Sequence, residues 1–234
     1  MRKMKKMLMA GILLLLMAAC TGGPEYVVQD NVVVYSYWTF SFGRLNDTLP
    51  GADPSTFKAV NSWLGHDSER VYYENRLVPG VDVATLKAER RPLFRDKNDY
   101  YYEATPMRVA DLSSFKILKW FEDDFWARDS RYAYFDTLCI RDVDLASFEI
   151  MNMMVARDKK QVYYFGRVLP GADPATFEPM GNSVYYRDKS HVWYYDELMP
   201  DADLATFTVD GLSHAHDKYG PFKNGKRDTV ETEP

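Results

Sequence analysis

The chain has 234 residues, with 29 Lys plus Arg against 34 Asp plus Glu, a net charge of −5 at neutral pH, and 15% aromatic residues. An acidic chain without basic runs beyond residue 19 is poorly suited to nucleic acid, whose binding rests on phosphate neutralisation. Only two cysteines are present, which excludes a scaffold built on disulfides, and the length is sufficient to bury a sizeable core.

Arg2, Lys3, Lys5 and Lys6 precede an apolar run at 7–17 that is short for a membrane-spanning helix. Leu16-Met17-Ala18-Ala19-Cys20 follows and has the form of a bacterial lipobox. Residues 1–19 are therefore expected to be a lipoprotein signal peptide, with Cys20 as the lipidation site. The alternative is an ordinary signal peptide cleaved after Ala19. Removing 1–19 takes away those four cations and no acid, so the net charge moves from −5 to −9. Thr21 stands where inner-membrane retention signals usually place Asp, which favours the outer membrane of the bacterial envelope. Residues 20–30 are expected to be a tether, 31–217 a β-repeat domain, and 218–234 a C-terminal strand remnant and tail. The run Val32-Val33-Val34-Tyr35-Ser36-Tyr37-Trp38-Thr39-Phe40 reads as an N-terminal strand covering an open edge of the repeats.

From there a repeat of about 29 residues recurs roughly six times. One aspartate column holds Asp67, Asp96, Asp129, Asp158, Asp188 and Asp217; a second holds Asp53, Asp82, Asp111, Asp144, Asp173 and Asp203. The first column opens polar turns, as Asp does through side-chain bonds to the backbone. Triplets such as Val71-Tyr72-Tyr73 and Val162-Tyr163-Tyr164 follow as strands, and all-apolar triplets imply cover on both faces. Each turn thus joins two strands into a β-hairpin. The second column lies in corners such as Gly171-Ala172-Asp173-Pro174-Ala175-Thr176-Phe177, which read as an N-cap, one helical turn and an inward apolar anchor.

Four features invite a functional reading. The residue before each first-column Asp is basic: His66, Arg95, Arg128, Arg157, Arg187 and His216. In stacked repeats these form a ladder that either binds an anionic glycan or a carboxylate-bearing partner, or pairs with neighbouring acids and rings. About four extra residues between Asp96 and Asp129 carry Trp120, Phe121, Phe125 and Trp126, either as a partner-binding protrusion or as a longer hairpin with its rings turned inward. The aspartate columns supply too few clustered oxygens for calcium. His214 and His216 share a strand face, but no third zinc ligand is evident. Cys139 reads as a buried small hydrophobe.

At Asp96-Lys97-Asn98-Asp99-Tyr100-Tyr101-Tyr102, with Asp158-Lys159, Asp188-Lys189 and the recurring Gly-Ala-Asp-Pro-x-Thr-Phe corner, residues 45–220 resemble the DKNYY family of bacterial repeat proteins. The resemblance implies a repeat architecture and an envelope location, and carries over no catalytic residue. Asp67-Ser68 and Asp129-Ser130 depart from the pattern by lacking the Lys, and the first unit lacks the turn Asp.

The expected fold is all-β: tandem β-hairpin repeats with one-turn helical corners, stacked into an elongated or curved single domain. A propeller in which two repeats form one four-stranded blade is the alternative. No Gly-x-Ser-x-Gly elbow, phosphate loop or dinucleotide fingerprint occurs. The expected function is a non-catalytic binding or scaffolding lipoprotein of the envelope, with no cofactor, attached to the membrane through its lipid and meeting an envelope protein or glycan. The alternative is a hydrolase of glycan or peptide using carboxylates from different repeats.

Overall fold

Runs of β-branched and aromatic residues broken every few positions by Asp, Asn or Gly favour short strands and tight turns over helices. The computed structural model, which describes residues 23–228, is built of such strands joined by turns, with a 3₁₀ turn at Val83–Thr85. Residues 1–19, Cys20 and the first part of the tether lie outside the described residues.

The strands form seven antiparallel sheets, each a meander in chain order. Sheet 1 has three strands: β1 (Glu25–Gln29), β2 (Val32–Thr39) and β3 (Gly43–Thr48). Sheets 2 and 3 have four strands each, Lys58–Ala59, Leu64–His66, Val71–Tyr73 and Arg76–Val78, then Lys87–Ala88, Leu93–Arg95, Tyr100–Tyr102 and Thr105–Pro106. Sheet 4 is built from Lys116–Phe121, Asp124–Arg128, Ala133–Phe135 and Leu138–Ile140. Sheets 5, 6 and 7 repeat that plan, each beginning with a two-residue strand: Glu149–Ile150, Glu178–Pro179 and Thr208–Val209. The chain divides at Arg108 into two compact units, sheets 1 to 3 in the first and sheets 4 to 7 in the second.

Each repeat is thus more than the expected hairpin. The hairpin forms the two central strands, and a short strand pairs on each side of it. One repeat supplies all four strands of its sheet, so two repeats do not combine into one sheet. Two boundaries also change. The expected tether at 20–30 contributes β1, which pairs along its length with β2. The expected strand remnant after 217 holds Gly220–Lys223 and Lys226–Arg227, which complete sheet 7.

Within each unit, cores form between consecutive sheets. Val33, Tyr35 and Leu49 of the sheet 1 region pack on Tyr72 of sheet 2. Tyr73 of sheet 2 meets Phe94 and Tyr101 of sheet 3 in a second cluster. In the other unit, Trp126 and Phe135 pack with Ala156 and Tyr163, Val155 and Val162 with Tyr186 and Trp193, and Tyr185 and Val192 with Ala215 and Phe222. The central triplets are buried on both faces, as at Val71–Tyr73 and Ala133–Phe135. Within each unit, a sheet therefore buries a face against its chain neighbour, the nearest-neighbour energetics of a repeat protein.

The third turn of every four-stranded sheet is a two-residue loop whose first residue has a positive φ: Glu74, Glu103, Asp136, Phe165, Tyr195 and Asn224. The amide of each donates to a carbonyl at the start of the second strand, at 2.7–3.1 Å. This bond fixes the loop despite the left-handed backbone.

Candidate binding surface

Apart from Ser36, the buried polar and charged residues among those described are the six first-column aspartates, none more than 5% exposed. Their destinations are the same in every repeat. One oxygen closes the turn, accepting the amide two residues on at 2.6–2.8 Å. In the first five repeats it also accepts the amide three residues on, at 2.7–2.9 Å. The other oxygen accepts the backbone N–H of the preceding second-column aspartate at 2.5–3.0 Å. The two columns are therefore bonded to each other, the turn carboxylate holding the corner backbone.

The corner answers in kind. Its Ser or Thr hydroxyl accepts the amide of the residue after the turn Asp at 2.8–3.2 Å. The corner carboxylate caps its own turn, as when Asp82 accepts the Thr85 amide at the one 3₁₀ turn, Val83–Thr85, and Asp173 accepts the Ala175 amide at 3.0 Å. It also pairs with the Lys that follows the turn Asp: Lys97 with Asp82, Lys159 with Asp144, Lys189 with Asp173 and Lys218 with Asp203. Where Lys is replaced by Ser130, the Ser hydroxyl donates to Asp111 at 2.7 Å. Asp-Lys and the distant corner form one clamp.

Its electrostatics follow. Burial pushes Asp67, Asp129, Asp158 and Asp188 upward, but the converging hydrogen bonds outweigh it and hold all four below the usual carboxylate value. The Arg227 guanidinium does the same for Asp217. Lys159, helped by Ser147, brings Asp144 down to about 2.

The basic ladder occupies equivalent strand positions, and most of it has acid or carbonyl partners. Arg95 pairs with Glu89, Arg187 with Glu178 and His216 with Asp210, each at 2.6–2.7 Å. His66 Nδ1 lies 2.7 Å from the Asp67 carbonyl oxygen. Arg157 pairs with Glu149 and also donates to the Pro174 and Phe177 carbonyls of the next corner. Arg128 stands across from Lys116 in register. Two of these cations reach a common surface. Arg157 and Arg187 line an open depression of about 640 Å³ with Lys189, Met151, Phe177 and Leu204. Arg187 and Glu178 also line an adjoining one of about 570 Å³, with Met180, Phe207 and Asp210.

The four-aromatic protrusion is corrected. The hairpin is longer and carries a bulge between Ile117 and Lys119, but Phe125 and Trp126 are fully buried. Trp126 donates to the Met153 carbonyl at 2.9 Å, which ties it to the next repeat. Trp120 and Phe121 are half-buried, Trp120 lying against Phe125 with centroids 4.8 Å apart. Packing of this sheet against Ala156 and Tyr163 of the next places Trp126 in the core. Cys139 is half-buried, and burial raises its thiol. Among the described residues no three His, Cys, Asp or Glu side chains gather as a metal site.

Sequence reading did not single out Asp136. It shares an open cavity of about 560 Å³ with Asp196, Arg167, Tyr164 and Phe165. Burial pushes its carboxyl up to about 7, with Asp124 adding to the rise and the Phe125 amide opposing it.

A chain of four-stranded meanders, each closed by the same aspartate clamp, is a tandem β-repeat protein. A model of the DKNYY family matches residues 21–105 and 105–197, and the chain belongs to that family. The clamp of Asp203 and Asp217 continues the same geometry past the matched segment. Comparison with curated proteins and with solved structures gave no match.

Proposed function

We propose that the chain is a non-catalytic binding or scaffolding lipoprotein of the bacterial envelope, tethered through Cys20, whose inter-repeat depressions receive an anionic glycan or a carboxylate-bearing partner. The observation that carries this reading is the pair of adjoining depressions sharing Arg187, with Arg157 and Lys189 on one side and apolar Met and Phe lining on both. The motif aspartates are committed to backbone amides, whereas the cations beside the depressions sit in partly exposed pairs with Glu149, Glu178 and Asp173, which a polyanion can compete for. Hyaluronate and polyglutamate serve as carboxylate probes. The wild-type chain should bind at low salt, and Arg187→Ala should weaken binding at least tenfold without altering stability, since its pair with Glu178 is exposed. Absence of binding to either polymer would sink the reading.

The hydrolase alternative rests on the Asp136 cavity, which Asp136 and Asp196 line from different repeats and where burial pushes the Asp136 carboxyl up to about 7. Cleavage of cell-wall glycan or peptide that Asp136→Asn abolishes would favour it over simple binding.

A further inference from the structure

Sheet 1 has two turns of opposite character. The turn between β1 and β2 is Asp30-Asn31, polar and with positive φ at both residues, as solvent-facing two-residue turns are. The turn between β2 and β3 is Phe40-Ser41-Phe42. Its conformation is well determined by local bonds: Thr39 pairs with Gly43, the Phe42 amide donates to Thr39 Oγ1 at 3.1 Å, and Gly43 takes φ +73°. Yet Phe40 is 104% exposed, Phe42 78% and Trp38 52%. A rigid loop that holds two phenylalanines in water is costly unless something covers them.

Register shows what lies beside it. β1 begins at Glu25, opposite Ser36, so the chain enters sheet 1 at the end that carries the aromatic turn. Gly23 and Pro24 line the same hollow as Trp38. Cys20 is three residues before Gly23, a reach of about 11 Å at full extension. Between Trp38 and Arg44 no acid occurs, in a chain that is acidic overall. The single charge there, Arg44, is paired with Glu25.

We infer that Trp38, Phe40 and Phe42 are a membrane-interface foot: the β2–β3 turn enters the head-group region of the bilayer that holds Cys20 and supplies a second, non-covalent attachment. The position of that bilayer rests on the proposed lipid at Cys20. Phenylalanine rings gain by leaving water, and a Trp ring at the rim suits the interface, apolar in body with a polar N–H. A second, protein-borne contact also fixes how sheet 1 is presented, which flexible acyl chains alone do not.

The test uses the chain from Thr21 onward, which holds every described residue, with a hexahistidine tag replacing the lipid. Ser41→Cys, in a Cys139→Ser background, carries an environment-sensitive dye. The protein is tethered to phosphatidylcholine vesicles containing a nickel-chelating lipid. Tethering should shift the dye emission to the blue, and Phe40→Ser with Phe42→Ser should abolish the shift while the circular dichroism spectrum stays the same. Unchanged emission on tethering, or an equal shift in the double variant, would overturn the inference. So would a Phe-dependent blue shift without vesicles accompanied by dimerisation, which would assign the turn to a second copy. Palmitate labelling of Cys20 in cells is read separately. Failure to label removes the lipid anchor, whereas a missing dye shift removes the foot.

Discussion

The backbone N–H of Asp144 donates to Oδ2 of Asp158 at 2.7 Å, and this bond joins the corner of a repeat to its central turn. The same carboxylate accepts Lys160 N–H at 2.6 Å, Gln161 N–H at 2.8 Å and the Tyr163 hydroxyl at 2.8 Å. Four donors converge on a residue 3% exposed. Asp158→Ala leaves three backbone amides without that acceptor, while the Tyr163 hydroxyl keeps the Asp142 carbonyl at 3.1 Å, and should cost about 3–5 kcal/mol, since each unsatisfied buried group costs about 1–3. Asp158→Asn keeps one acceptor oxygen but turns an amide donor towards Asp144 N–H, and should cost about 2 kcal/mol. Tyr163→Phe should cost about 1 kcal/mol. Urea unfolding monitored by circular dichroism ranks the three.

Acid should undo the clamps together. Asp67, Asp129, Asp158, Asp188 and Asp217 are held below their unfolded values, so the unfolded chain binds more protons than the folded one as pH falls. Their stabilisation is complete above the unfolded carboxylate value, about pH 4, and is lost as pH drops through the folded values. The urea midpoint should fall steeply below pH 4. The same five residues changed singly to Asn should each flatten that acid limb.

Asp136 has the opposite sign. Its folded value, about 7, lies above the unfolded one, so its contribution is greatest at low pH and is lost as pH rises from about 4 to 7. Asp136→Asn keeps an oxygen for the Phe125 amide, which donates to it at 2.9 Å, and suits the positive φ of 46°. The variant should be more stable by about 1 kcal/mol at pH 8, after allowance for solvent screening. That gain should vanish by pH 4, as read from urea midpoints across pH.

Two glycines at similar backbone angles separate strain from crowding. Gly171 has φ +80° with open space at the Cβ position, so Gly171→Ala should cost about 1 kcal/mol in backbone strain. Gly166 has φ +74°, and a Cβ there would lie 2.8 Å from Phe135 Cβ and 3.1 Å from Leu138 Cδ2. Gly166→Ala should cost about 3 kcal/mol, because the neighbouring sheet must also shift. The difference between the two midpoints measures the close approach of sheets 4 and 5.

The repeat period, the strand triplets and both aspartate columns were legible in the sequence, because each relies on local chemistry: turn opening, capping and apolar alternation. The bond between Asp144 and Asp158 was not, because its donor is a backbone amide that carries no side-chain signature and lies 14 residues away. Flanking strands such as Lys58–Ala59 were hidden for a different reason. They are two exposed residues long and depend on pairing, not on pattern. Whether Trp126 faced a partner or the core stayed open in the sequence, because the strands and the Met153 carbonyl that cover it come later in the chain. Asp136 gave no signal, since its burial arises from the turn geometry of Phe135–Leu138 pairing.

The central claim is that each turn aspartate holds the corner backbone of its own repeat. Native-state hydrogen exchange of the Asp53, Asp82, Asp111, Asp144, Asp173 and Asp203 amides tests it most directly, because their acceptors are side-chain carboxylates. All six should exchange as slowly as the central strands, and Asp158→Asn should release Asp144 first among them. Rapid exchange of these amides in the wild-type chain, at the rate of exposed loops, would contradict the clamp.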